Sequence, residues 1–86
     1  MSKAFVEYTD TFGGEANYSW VRRATIVDEP RGDGSKELRA MEMRVRRKAK
    51  KAVGISGLRG RWEEWGGDLV FYPYRTCTVM FITWEV

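Results

Sequence analysis

The chain has 86 residues, is 43% hydrophobic and 14% aromatic, and carries a formal net charge of +3 with one cysteine and no histidine. That length fits a single domain spanning residues 1–86, with a thin core and modest stability. A single cysteine excludes an internal disulfide framework, the lack of histidine removes the commonest general base, and no apolar run reaches the roughly 18–20 residues of a membrane-spanning helix.

Taken in chain order, Ala4-Phe5-Val6-Glu7-Tyr8-Thr9 is aromatic and β-branched and predicts a strand. Gly13-Gly14 predicts a tight reversal into a longer strand over Tyr18–Val27, antiparallel to the first. On that strand Tyr18, Trp20, Ala24 and Ile26 share one face with Arg22, which interrupts an otherwise apolar set. A charged, Pro/Gly-punctuated loop over Asp28–Gly34 leads into a helix, with Ser35 expected as N-cap and Gly54 as the residue that stops it. Leu38, Met41, Val45, Ala49 and Ala52 recur at spacings of three and four and predict one narrow buried stripe.

Beyond the helix, a short strand over Trp62–Trp65 is expected to turn at Gly66-Gly67 into Leu69–Tyr72. A second turn over Tyr72–Arg75 leads to the last strand, Thr76–Val86. There Met80, Ile82, Trp84 and Val86 face one way, and Cys77, Val79 and Phe81 the other. Two apolar faces predict a central strand, or one covered by a partner, with Cys77 a buried inert thiol. The expected fold is α+β: one amphipathic helix packed across an antiparallel sheet of four or five strands, in the order ββαββ or ββαβββ.

The chemistry points away from catalysis. Ser-His and Cys-His pairs are impossible, no Gly-rich phosphate loop is present, and Glu63-Glu64 would point to opposite faces of a strand. No enzymatic activity, cofactor or metal is expected. The lone cysteine and the lack of a signal-peptide core predict a cytoplasmic protein, or one acting in the cytoplasm of a host cell.

The charge is concentrated in one element. Between Lys36 and Lys51 the chain carries eight Lys/Arg against two Glu, a net +6, so the remaining residues sum to −3. Six of these cations, Arg44, Arg46, Arg47, Lys48, Lys50 and Lys51, follow one another without an intervening acid, and like charges one turn apart repel. An ordinary solvated helix back explains a Lys/Glu mixture less well here than an anionic partner does. The candidate binding residues are therefore Arg39, Arg44, Arg46, Arg47, Lys48, Lys50 and Lys51, together with the aromatics Trp62, Trp65, Tyr72 and Tyr74, with Phe71 counted on the same surface.

Three partner classes follow. Arginines and aromatics suit DNA or RNA directly, though no nucleic-acid module motif is present. The same composition suits an interface with a host protein or nucleoprotein complex, or a homodimer formed through the second sheet face. A structural or regulatory subunit is the third. Finally, the stretch EYTDTFGGEANYSWVRR, Glu7 to Arg23, resembles the opening of small uncharacterised proteins encoded by bacteriophages and prophages. The resemblance covers about a fifth of the chain and carries no residue roles. It implies a phage accessory protein. A chain near 10 kDa without catalytic apparatus is similar in class to anti-CRISPR inhibitors, a likeness of strategy and not of sequence.

Overall fold

The computed structural model describes residues 2–85. Five strands and one helix follow in the order β1 (Ser2–Phe12), β2 (Glu15–Asp28), α1 (Ser35–Ala52), β3 (Gly60–Trp65), β4 (Asp68–Pro73) and β5 (Thr78–Trp84). The strands form one antiparallel sheet of order β2-β1-β5-β4-β3, and α1 lies across one face. This is the expected α+β arrangement, with five strands and β5 in the centre. Among the described residues no helix is long and apolar enough to cross a membrane.

Turn chemistry sets the two hairpins. Gly13 and Gly14 have φ of +63° and +85°, and Gly66 and Gly67 of +62° and +95°. Positive φ at both central residues matches the right-handed twist of the flanking strands and closes each hairpin in two residues, pairing Phe12 with Glu15 and Trp65 with Asp68.

Cross-strand register assembles the core. Val6 lies between Ala24 and Ile82, Tyr8 beside Met80, Leu69 beside Ile82, and Phe71 between Met80 and Trp62. On this layer α1 sets Met41, Val45 and Ala49, and the chain continues with Val53 and Ile55. Full burial of each such aliphatic side chain favours folding by about 1.5–3 kcal/mol.

The stripe is thus shifted from the expected one. Leu38 is 53% exposed and Ala52 is exposed, although both fall on the helical face of Met41, Val45 and Ala49, so only the middle of the stripe is buried. Val53 and Ile55 take their place.

The helix ends also correct one expectation. Ser35 is the first helical residue and not the cap. Gly34, at φ +99°, occupies the N-cap and offers no side-chain bond. At the other end Gly54, at φ +82°, closes the helix as expected. Its N–H donates to Lys51 O (3.2 Å), and the Ile55 N–H donates to Lys50 O (2.8 Å), the paired bonds of a Schellman motif. Arg22, the polar interruption on the core face of β2, adds to this end. It stacks near Tyr8 and Trp20 and donates from Nη1 to Val53 O at 2.9 Å, placing a cation at the negative end of the helix dipole.

Three further expectations change. The last strand starts at Thr78, so the turn occupies Tyr74–Cys77, Pro73 stays in β4, and Arg75 adopts φ +62°. Cys77 accordingly lies in that loop and is an exposed free thiol, not a buried one. Val86 lies outside the described residues.

The largest departure is at Tyr18. The β1–β2 register shifts between Thr9 and Thr11, and Tyr18 adopts φ +53°. This bulge breaks the strict alternation, so Tyr18 points to the sheet face opposite the helix, while Trp20 stays on the helix side against Tyr8 and is itself 40% exposed. A local knot holds it: Asp10 accepts from Asn17 Nδ2 (2.9 Å), from the Ser19 N–H (3.0 Å) and from Ser19 Oγ (2.5 Å). The Ser19 and Asn17 bonds lower the Asp10 carboxyl to about 2.

Candidate functional site on the basic helix

Bonding partners and exposure sort the cations of α1 into two flanks that bond inward, one toward β2 and one toward β3 and β4, and an exposed crest. Arg44 and Lys48 lie on the β2 flank. Arg44 donates from Nε and Nη2 to the two oxygens of Asp28 (3.1 and 3.0 Å), and Lys48 Nζ joins at 3.0 Å. The Arg44 bonds, followed by the Lys48 bond, hold the Asp28 carboxyl well below the usual carboxylate range, against the opposing effect of burial.

Arg46 and Lys50 lie on the other flank. Arg46 donates to Glu42 (2.9 Å) and lies 4.5 Å over the Trp62 ring, while Lys50 donates to Leu58 O and lies 4.9 Å from the centre of Phe71. These four residues hold the helix to the sheet.

The crest is different. Lys36, Arg39, Met43, Arg47 and Lys51 follow at spacings of three, four, four and four, directly opposite Met41, Val45 and Ala49. All five are exposed, and the four cations make no ion pair or hydrogen bond among the described residues. At 1.5 Å per residue the row is about 22 Å long. Beside it, Met43, Arg46, Arg47, Lys50, Ser56 and Trp62 enclose a cleft of about 360 Å³.

Of the candidate aromatics only Trp62, which lines that cleft, lies beside these cations. Trp62 is half-buried, with Phe71 4.6 Å away and Arg46 over it, so its ring is packing and not a free stacking surface. Phe71, expected on a surface, is 1% exposed. Trp65 (53% exposed) and Tyr72 belong to the sheet face away from the helix, where Arg61 lies 4.7 Å over the Tyr72 ring. Tyr74 is exposed in the β4–β5 turn. Trp65 and Tyr72 therefore form a surface separate from the helix, with the sheet between them.

No family model, curated protein or solved structure matches the chain.

Of the residues singled out in the sequence, the fold brings Arg39, Arg47 and Lys51 onto one unpaired row, and commits Arg44, Arg46, Lys48 and Lys50 to internal contacts. Lys36 and Met43 complete the row. Their three-and-four spacing from Arg39 and Arg47 is the signal that could have found them. Among the described residues no group of three or more acidic or thiol side chains could hold a metal ion.

Proposed function

We propose that this is a non-enzymatic binding protein that docks the crest of α1 onto an acidic surface of a larger host protein or nucleoprotein complex, and inhibits that complex by occupying the surface. The observation that carries this reading is the row Lys36, Arg39, Arg47 and Lys51, left unpaired while every flanking cation has an internal partner. Four exposed cations on a rigid, capped helix repel one another, and an anionic partner offsets that cost. A phage accessory role of the anti-CRISPR kind fits the size and the resemblance of residues 7–23.

Direct nucleic-acid binding by the same row is the second reading, favoured by the regular line of cations. Against a single-stranded ligand stands the lack of a free stacking ring beside the row: grip on a strand combines phosphate contacts and base stacking in one groove, and here Trp62 is packed under Arg46 while the sheet divides the cations from Trp65 and Tyr72.

The test is retention from bacterial lysate by immobilised protein, with and without nuclease, using wild type and Arg47→Glu/Lys51→Glu. The proposal expects retained protein that survives nuclease and is lost with the double variant at unchanged circular dichroism. Equal retention by the folded double variant overturns it. Loss of all retained material on nuclease treatment transfers the function to the second reading.

A further inference from the structure

The sheet face away from α1 carries a second cleft, of about 320 Å³, built by the irregularity at Tyr18. Tyr18, Trp65 and Phe81 line it together with Glu7 and Asp68. Tyr18 and Trp65 are 48% and 53% exposed, a large apolar cost in water for two of the bulkiest side chains. Both are fixed in place. The Tyr18 hydroxyl donates to Glu7 Oε1 at 3.2 Å, and the Trp65 indole N–H donates to Glu63 at 2.9 Å. Trp65 and Phe81 stand 6.5 Å apart at 58°, an open angle and not a closed stack.

The polar lining is anionic. No lysine or arginine lines this cleft. Glu7 Oε2 accepts from Arg23 Nε at 2.9 Å; that side chain is 64% exposed and is not among the residues lining the cleft. Asp68 Oδ1 accepts the Trp84 N–H at 3.2 Å, while its second oxygen has no hydrogen bond among the described residues. Aromatic ring faces are negative and attract cations, most strongly where water is excluded, and carboxylates at the rim complete the charge match. Glu7 is already matched by Arg23 and the Tyr18 hydroxyl, so the open charge is that of Asp68, and an uncharged apolar group would leave its second oxygen without a partner.

We infer that this cleft is a binding site for a cationic side chain, the guanidinium or ammonium group of a basic segment on a partner protein. The site is separate from the helix crest, lies across the sheet from it and takes the opposite charge, so either surface works without the other.

The experiment is an NMR titration of the intact ¹⁵N-labelled chain with a capped peptide of arginines, beside the same peptide with citrulline replacing arginine. Citrulline keeps the shape and removes the charge. The expected result is a saturable shift of the Trp65 indole N–H with the arginine peptide, and none with the citrulline peptide. Trp65→Leu and Glu7→Gln should each weaken binding roughly tenfold, the scale of one partly desolvated cation contact. Arg47→Glu/Lys51→Glu should leave it unchanged. Equal response to both peptides, no saturable response in wild type, or affinity unchanged in folded Trp65→Leu overturns the assignment. So does concentration-dependent dimerisation that closes the face. If the variants fail to fold, the comparison of the two peptides on wild type still decides.

Discussion

Arg44 and Asp28 meet in a two-point pair that joins the middle of α1 to the last residue of β2, at 3.1 and 3.0 Å. Both side chains are largely buried, and Arg44 also donates to Glu29 O at 3.0 Å. Part of what reads in the sequence as a surface charge cluster is therefore a structural clamp.

That clamp gives stability a definite pH dependence. The Asp28 and Asp10 carboxyls are both held below their unfolded value, Asp10 at about 2. A depressed carboxyl favours the fold above the unfolded pKa of about 4 and loses that contribution as pH falls through the folded value. Thermal melting followed by circular dichroism should give a level Tm from neutral pH to about pH 5, then a progressive fall toward pH 2. Asp28→Asn should lower the neutral-pH Tm and flatten the acid limb.

Charge reversal should separate the crest from the flanks. Arg47→Glu/Lys51→Glu should leave Tm nearly unchanged, since surface changes away from specific contacts usually fall within about 0.5 kcal/mol. Arg46→Ala should cost about 1 kcal/mol, by removing the cation over Trp62 and exposing that ring. Urea titration followed by tryptophan fluorescence reads both.

Gly60 is required by close packing and not by its backbone angle. A Cβ there would fall 2.3 Å from Tyr72 O and 2.7 Å from Pro73 Cα, both backbone atoms of the paired strand. Gly60→Ala must push β3 from β4 and should destabilise by at least about 1–3 kcal/mol. Gly57→Ala, with open space around it, is the control and should be near neutral. Chemical denaturation of the two variants checks this.

Cys77 sits exposed in the Tyr74–Cys77 turn. Native protein should therefore react with a thiol reagent at one equivalent per chain, without denaturant and at nearly the unfolded rate. A thiol that reacts only after unfolding would show that the turn is packed.

The element order, both two-glycine hairpins, the helix and its Gly54 stop were legible in the chain because they rest on local rules: positive φ at paired glycines, alternation along strands, and a three-and-four spacing of apolar residues. The unpaired row was half legible. Arg39, Arg47 and Lys51 stood out by composition, but so did Arg44, Arg46, Lys48 and Lys50; the Glu42–Arg46 pair is local to the helix, one turn apart, whereas Asp28, Trp62 and Leu58 O become partners only through how the helix lies on the sheet.

The aromatic cleft was not legible. A three-residue shift in the β1–β2 register, with residues 17–20 opposite Asp10, inverts the face of Tyr18 against its strand neighbours, and Phe81, Glu7 and Trp65 join it only through the strand order β1-β5-β4-β3. The sequence by itself determined that this chain forms a small α+β domain with a cationic helix. Tertiary structure alone decided which cations stay free and which aromatics face out, because pairing and burial depend on residues distant along the chain.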